Sequence, residues 1–401
     1  MTARDVWAGV VGQPNAVQIL RAAAAAADDL VAGRPVRDGH ANAMTHAWLF
    51  TGPPGSGRSV AARAFGAALQ CLVGTGCGQC PGCRTVLAGT HADVRLVVPE
   101  GLSISVAEMR SLVQAAARRP TGGRWQVVVI EDADRLTEGA ANALLKAVEE
   151  PPDRTVFLLC APSDHPEDVS VTIRSRCRVV ALRTPQADAI AEVLVERDGI
   201  PDDMAAWAAS VCGGHVGRAR RLATDPAARQ RREAVLRIPM GLRGLGDVFA
   251  RADDLVQAAE SEASTLSEAR DTPEREALET AMGAGGTGKG TAAAGRGAKG
   301  ALKELERRQK SRATRTQRDS LDLALIDLAG FYRDVLVTAV GSAAVRYHPD
   351  RADDLTAAAT AWTRESTLRR LEAVLACRQA IDENVKPRIA VEAMLTALYR
   401  G

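Results

Sequence analysis

Along the first half of the chain, short apolar runs alternate with longer stretches of helical periodicity. The runs are Ala47–Thr51, Arg95–Val98, Gln126–Ile130, Val156–Cys160 and Arg178–Leu182. Near-continuous apolar character predicts a sheet buried on both faces, and the strand–helix alternation predicts parallel strands joined by helical crossovers. From Thr184 to about residue 240 the pattern shortens into small helices around Pro201 and Gly213-Gly214. Beyond about 241 no strand pattern recurs and the chain reads as helical. Three regions follow: an α/β domain over 1–183, a small helical module over 184–240, and an all-helical domain over 241–401.

The third region is interrupted. Residues 283–300, GAGGTGKGTAAAGRGAKG, hold almost nothing that could bury a core, and they read as a flexible insertion. Charged helical segments flank it, Thr272–Thr280 before and Ala301–Leu325 after. Gly283 to Lys289 copies most of a phosphate-binding loop, but Gly290 stands where Ser or Thr would hold magnesium. No strand precedes it, so the copy lacks the setting in which such a loop works.

Composition narrows the function classes. The 401 residues are 46% apolar and 25% charged, ordinary for a globular protein of two to three domains. Aromatics reach only 3%, which argues against base-stacking single-strand binding. A net charge of +2 leaves any nucleic-acid contact to local patches. No apolar stretch is long enough to span a bilayer and no signal-peptide layout appears, so the expected location is cytoplasmic.

One motif carries nucleotide chemistry. Gly52-Pro53-Pro54-Gly55-Ser56-Gly57-Arg58-Ser59 follows the run Ala47–Thr51 and opens a helix over Val60–Leu69. Glycines let successive N–H groups curl around phosphate oxygens, and the helix N-terminus adds positive potential. Ser59 is placed to ligate Mg²⁺. The usual lysine, however, is Arg58, whose planar fork fits a tight phosphate cradle poorly. The run Gln126–Ile130 ends in Glu131-Asp132-Ala133-Asp134. An active motor needs Asp near the metal and then Glu to activate water; here the order is reversed. Glu131 is a methylene too long and Asp132 one too short, and a misplacement of roughly 1 Å can cost on the order of a hundredfold in rate. Binding of ATP or ADP with Mg²⁺ is left open by this motif, and efficient hydrolysis is not expected. The bland alternative is a glycine-rich turn without a ligand.

The cysteines suggest a metal. Cys71, Cys77, Cys80 and Cys83 follow a C-x5-C-x2-C-x2-C spacing among Gly76, Gly78, Pro81 and Gly82. Four thiolates satisfy tetrahedral Zn²⁺ with no open position, the pattern of a structural site. An iron–sulfur run is the closest competitor, but Leu87 and Ala88 stand where it would place its fourth cysteine. Cys160, Cys177, Cys212 and Cys377 lie in apolar stretches and read as core residues.

Two basic regions are candidates for phosphate contact: Arg110 with Arg118-Arg119, and the run Arg307, Arg308, Lys310, Arg312, Arg315 and Arg318. A solvated surface position accounts for Arg110 at least as well, and a solvated charged helix is the favoured reading of the run, Glu304 and Arg308 having the i, i+4 spacing of such a face.

Several segments together resemble the bacterial clamp-loader AAA+ family. They are Val10-Val11-Gly12-Gln13, the loop at 52–59, the cysteine module at 71–83, Ile130–Asp134, Ala141–Pro152 (ANALLKAVEEPP), Ser175-Arg176-Cys177 and the closing helix Asn384–Leu395. The resemblance covers nearly the whole chain except about 260–320. It implies an AAA+ P-loop domain with zinc at Cys71, Cys77, Cys80 and Cys83, a helical lid over 184–240, and a collar over 241–401.

By the same resemblance the chain joins gamma/tau ATPase subunits and a delta subunit in a hetero-pentamer, acting on a sliding clamp and primed DNA. Within such a ring it looks like a stator of the DNA polymerase III assembly, without ATPase activity of its own. Arg176 is the implied arginine finger, projecting into a neighbour's ATP site. Helices at the place of Arg110 follow the DNA backbone in the family. The family's in-cis sensor arginine falls at Gly217, with Arg218 one residue late, and after the fourth run only Ser163 remains as a polar sensor. Two other readings stay open: an ATP-hydrolysing motor subunit of gamma/tau type, which Arg58 and Glu131-Asp132 argue against, and a zinc-dependent DNA-binding module that retains the P-loop body.

Overall fold

The computed structural model describes residues 5–35, 43–74, 76–99, 101–117, 119–281 and 291–401, with backbone alone at 269, 279, 281 and 291–299. The chain divides into two compact units, Met1–Ala223 and Thr224–Gly401.

The first unit opens with a single 3-10 turn at Val6–Gly9 and the helix α1 (Pro14–Val31). Then come β1 (Ala47–Thr51), α2 (Arg58–Leu69), α3 (Pro81–Leu87), β2 (Val94–Val97), α4 (Val106–Ala116) and β3 (Gln126–Ile130). The rest is α5 (Glu138–Glu149), β4 (Thr155–Ala161), α6 (Val171–Arg174), β5 (Arg178–Ala181), α7 (Ala187–Asp198), α8 (Asp202–Val211) and α9 (Val216–Thr224). The five strands are parallel in the order β2-β3-β4-β1-β5, so β4 separates the strand before the phosphate loop from the strand carrying Glu131.

Burial sorts these strands. All residues of β1, β3 and β4 are buried, as their apolar runs require. The edge strands differ: Arg95 and Leu96 of β2 and three of the four residues of β5 are exposed. The sequence pattern predicts burial on both faces for all five. An edge strand has a neighbour on one side only, so apolar composition alone does not cover it.

Two apolar layers flank the sheet. On one face Trp48, Phe50, Val127 and Val129 pack with Phe65 and Leu69 of α2 and Leu20 of α1. On the other, Leu49, Val128, Phe157 and Leu159 pack with Met109 of α4 and Leu144 of α5. Helix starts follow the capping rules: Ser105 and Glu108 form a reciprocal capping box on α4, and Thr137 accepts from Ala140 N–H to start α5.

The second unit contains α10 (Pro226–Gly241), α11 (Leu245–Ala281), α12 (Thr291–Ala339), α13 (Ala352–Ala361), α14 (Arg364–Asp382) and α15 (Pro387–Arg400). The expected lid, 184–240, thus straddles the division, α7–α9 lying with the sheet and α10 with the helical unit. Leu325, Phe331, Tyr332, Val374, Val391 and Leu395 form its core with Val248 and Val256. Inside this unit Arg232, 5% exposed, is bonded to both carboxylate oxygens of Asp350 at 2.7 and 2.9 Å and donates to His348 Nδ1 at 2.9 Å.

The copied phosphate loop at 283–289 lies outside the described residues, as does Gly290. Residues 291–300, which composition assigns to the flexible insertion, have helical backbone as the first turns of α12. Alanine-rich sequence leading directly into Ala301–Leu325 lets the longer helix propagate backward through the glycines.

Candidate functional site

The loop Gly52–Gly57 joins β1 to α2 as the motif requires, and its glycines are used. Gly55 and Gly57 take left-handed conformations at φ 87° and 90°. An added Cβ on Gly55 would lie 2.6 to 2.8 Å from Cβ, Cα and Cγ of His215. That contact comes from the small helical module of the same unit: His215 precedes α9 and packs directly on the loop. Its Nδ1 accepts the N–H of Arg218 at 3.2 Å, which fixes the proton on Nε2 in the neutral ring. Burial, and then the Arg218 charge, holds the imidazole below its ordinary pKa.

The loop's other side is tied to the N-terminal segment. Gln13 is buried; its amide nitrogen donates to Ser56 O at 3.3 Å and Arg183 O at 2.5 Å, while its oxygen accepts Arg183 N–H at 3.1 Å. One side chain therefore joins the family motif Val10–Gln13 to the phosphate loop and to the segment after β5.

The charged residues around the loop are arranged differently from an active motor. Arg58 starts α2, and its Nη1 is buried without a hydrogen-bond partner among the described residues, as is Ser56 Oγ. Ser59 is the next residue of α2, half-buried at the helix N-terminus. Glu131, at the tip of β3, forms an ion pair with Arg63 of α2 at 3.4 Å. Asp132 takes a left-handed conformation, φ 53°, at the N-cap position of the next turn, where its side chain makes no capping hydrogen bond. Asp134 is pushed above the ordinary carboxyl range by burial. Ser163, the remaining polar residue after β4, donates to Asp168 at 2.6 Å and accepts the N–H of His165 at 3.0 Å. Gly217 lies in the first turn of α9, packed beside the His215 ring, followed by Arg218. The loop, Glu131 and Asp132 are thus brought to one place, with orphaned Ser56 and Arg58 atoms compatible with an anion, but Glu131 already has a cation and Gly55 already has a cover.

Arg176 lies outside this group, between α6 and β5 and about one-third exposed. Its Nη1 donates to Thr172 O at 2.9 Å and Ser175 Oγ at 3.2 Å, and its Nη2 meets Glu149 Oε1 at 2.7 Å. Glu149 is the last residue of α5, within the ANALLKAVEEPP segment.

The four cysteines converge. Sγ atoms of Cys71, Cys77, Cys80 and Cys83 all lie within 4.8 Å of one another, and those of Cys71 and Cys80 are 4.0 Å apart. A tetrahedron with Zn–S arms of about 2.3 Å has edges of roughly 3.8 Å, so the set fits a tetrathiolate ion. Backbone N–H groups of Cys77, Cys80 and Cys83 each point at the preceding cysteine's sulfur at 3.4 Å. Burial opposes ionisation of Cys80, but N–H groups, Cys83 first among them, outweigh it and lower its pKa. Burial pushes the Cys83 thiol up. Cys71 and Cys83 are fully buried in the main core beside Val6 and Trp7. The other four cysteines are core residues or nearly so; burial pushes Cys160, Cys177 and Cys377 up to about 12.

The basic candidates separate. Arg110 and Arg119 are exposed, and Arg118 lies outside the described residues. In the run on α12, Arg307 pairs with Glu304, Arg312 with Asp271 and Glu274, and Arg315 with Asp319, while Arg318 donates to Ile381 O and Asn384. Arg312 and Arg318 tie α12 to neighbouring segments, Arg315 is half-buried, and Arg307, Arg308 and Lys310 are exposed. No helix among the described residues is long and apolar enough to cross a membrane.

A parallel sheet with β4 inserted beside β1, a glycine loop opening α2, and acidic residues at the tip of β3 define an AAA+ P-loop domain, accompanied by an all-helical second unit. Residues 35–186 match the family described as DNA polymerase III, delta subunit. Similar curated proteins include the delta' subunits of DNA polymerase III from Bacillus subtilis, 34% identical over 160 residues, and Pseudomonas aeruginosa, 38% over 165. These alignments cover 39% and 40% of this chain and 48% and 49% of the relatives, so the chain spans about half the length of the curated proteins it matches. The tau subunit from Escherichia coli is 34% identical over 176 residues, 43% of this chain and 25% of that protein. A solved gamma-subunit-related protein from Thermotoga maritima aligns over 88% of this chain and 94% of its own, with TM-score 0.39 and 14% identity. Over residues 35–186 the chain is thus similar to delta and delta' subunits of DNA polymerase III.

Sequence reasoning missed His215, Arg63 and Glu149. His215 sits next to Gly213-Gly214, but nothing in the spacing points it at Gly55. Arg63 lies one turn beyond Ser59 on α2, so helical periodicity could have placed it on the loop's side of the sheet. Glu149 was visible inside a family segment without a stated role.

Proposed function

We propose that this chain is a clamp-loader subunit of delta-prime type, a stator that lends Arg176 to the ATP site of a neighbouring gamma/tau subunit. The ring, completed by a delta subunit, loads a sliding clamp on primed DNA. The lid is α7–α9 with α10, and the helices from α11 onward form the collar.

The observation that carries this reading is the cover on its own phosphate loop: His215 leaves no space at Gly55 for even a methyl group. With Arg58 in the lysine position and Glu131 paired to Arg63, the loop lacks both a compact phosphate cation and a free base. Relatives named tau match the same region, so similarity does not separate stator from motor; these three departures favour the stator. Nucleotide with Mg²⁺, if bound between Gly52 and Ser59, would be held rather than hydrolysed.

Cys71, Cys77, Cys80 and Cys83 hold a structural Zn²⁺ in this reading. The ion has no open position and supplies no chemistry beyond cross-linking the module to the core.

Arg176→Ala in the reconstituted assembly tests the central claim. Arginine fingers are worth on the order of 10³-fold or more in turnover, so the neighbour's ATPase should collapse while the variant still co-purifies with the ring. Unchanged turnover, or brisk ATPase from the isolated wild-type chain, would overturn the stator reading.

A further inference from the structure

The turn before β3 approaches the cysteine module through one side chain. Arg124, 17% exposed, donates from Nη1 to the carbonyl oxygen of Cys71 at 2.5 Å and from Nη2 to Asp28 of α1. Asp28 also pairs with Arg34. Burial opposes ionisation of Asp28, but Arg124 and Arg34 together hold its pKa below the ordinary range. The backbone of the same turn is fixed independently of this side chain. Gln70, just before Cys71 and 1% exposed, accepts Arg124 N–H at 2.8 Å and donates to Trp125 O. Asp93 accepts the N–H groups of Thr121, Gly122 and Gly123.

Geometry around Cys71 makes this contact chemically specific. A tetrathiolate Zn²⁺ carries a net charge of about −2, which favours a cation close by. Cys71 is the first ligand in sequence and stands six residues from the next, so neither C-x2-C turn constrains it. Its carbonyl is oriented by Arg124, and Asp28 holds that guanidinium in place. Gly74, between Cys71 and Cys77, lies against α1: an added Cβ there would fall 2.7 Å from the Asp28 carboxyl carbon.

We infer that Arg124, held by Asp28, is the positioning residue of the cysteine centre, fixing Cys71 so that all four thiolates close on the metal. This rests on the zinc reading above. It makes the module a clasp between α1, the end of α2 and the entry to β3.

The test is zinc affinity of the full-length protein, measured by chelator competition, for wild type, Arg124→Ala, Asp28→Asn and Asp93→Ala. Losing an outer contact of a metal ligand typically costs on the order of 10- to 100-fold in affinity. That loss is expected for Arg124→Ala, with a smaller loss for Asp28→Asn, which keeps the guanidinium but removes its anchor. Asp93→Ala loosens the same turn without touching Cys71 and should bind zinc within about twofold of wild type. If Arg124→Ala does not fold, Asp28→Asn carries the comparison with Asp93→Ala. Equal weakening by the Asp28 or Arg124 variants and by Asp93→Ala, or no weakening by either, overturns the inference alone. A wild-type chain that takes up no zinc overturns the zinc reading, and the inference falls with it.

Discussion

Glu149 and Arg176 face each other across 2.7 Å, the last residue of α5 meeting the turn before β5. The guanidinium is therefore held from both sides, by a carboxylate on Nη2 and by Thr172 O and Ser175 Oγ on Nη1. In the proposed role, a guanidinium presented in one direction would lose less rotamer freedom on reaching a neighbour's phosphate.

Glu149→Gln should keep the helix and the Nη1 contacts while removing the anchoring charge. An exposed pair contributes at most about 1 kcal/mol, equivalent to roughly a fivefold fall in the neighbour's turnover. Steady-state ATPase of the assembled ring measures this, and the drop should be far smaller than that of Arg176→Ala.

Gly55→Ala places a methyl group on His215 at a backbone φ of 87°. Strain of this kind costs of order 1–3 kcal/mol, and the contact adds to it. Denaturant unfolding should show a lower midpoint, and pairing the change with His215→Gly should recover part of the loss. Full stability in the single variant would mean that α9 does not rest on the loop.

Stability should depend on pH below neutrality. Burial, with the neighbouring Arg232 charge, lowers the pKa of His348 against the opposing pull of Asp327 and Asp334. Its ring is fixed as the neutral form by accepting from Arg232 and contacting Asp327 O at 3.0 Å. The unfolded chain binds this proton near pH 6.5 and the folded chain only lower, so stability is complete above about 6.5 and declines as pH falls. The slope from one such group is at most about 1.4 kcal/mol per pH unit. His348→Gln should flatten the change in denaturant midpoint between pH 7 and 5.5.

Arg312→Ala should loosen the α11–α12 hairpin. Its guanidinium, 13% exposed, joins Asp271 and Glu274 across the two helices. Amide exchange in 265–280 and 302–316 should accelerate, while amides around Phe331 and Tyr332 stay protected.

Much of the fold was legible because period and punctuation agreed. β1 and β3 occupy the ranges their apolar runs define, and the loop Gly52–Gly57 opens α2, which starts at Arg58, two residues before the Val60 that the pattern marks. The four-cysteine spacing identified a convergent set because a short loop has few ways to bring such residues anything but together. What stayed hidden depends on contacts between distant segments. His215 reaches Gly55 across 160 residues, and Gln13 reaches Arg183 across 170, through tertiary packing that no local period encodes. The helical start of α12 was hidden for the opposite reason: glycine content outweighed the alanines in a compositional reading.

The hairpin of α11 and α12 changes character along its length. Near Val248, Val256, Leu325 and Phe331 it belongs to the apolar core; further out it is closed by Arg275–Glu306, Arg312–Asp271 and Gln317–Glu260. A polar seam has no jigsaw to preserve, so its span is free to drift. Removing or adding matched seven-residue blocks, about two turns on each strand of the pair, would shorten or lengthen the arm while the tightly packed base kept its register.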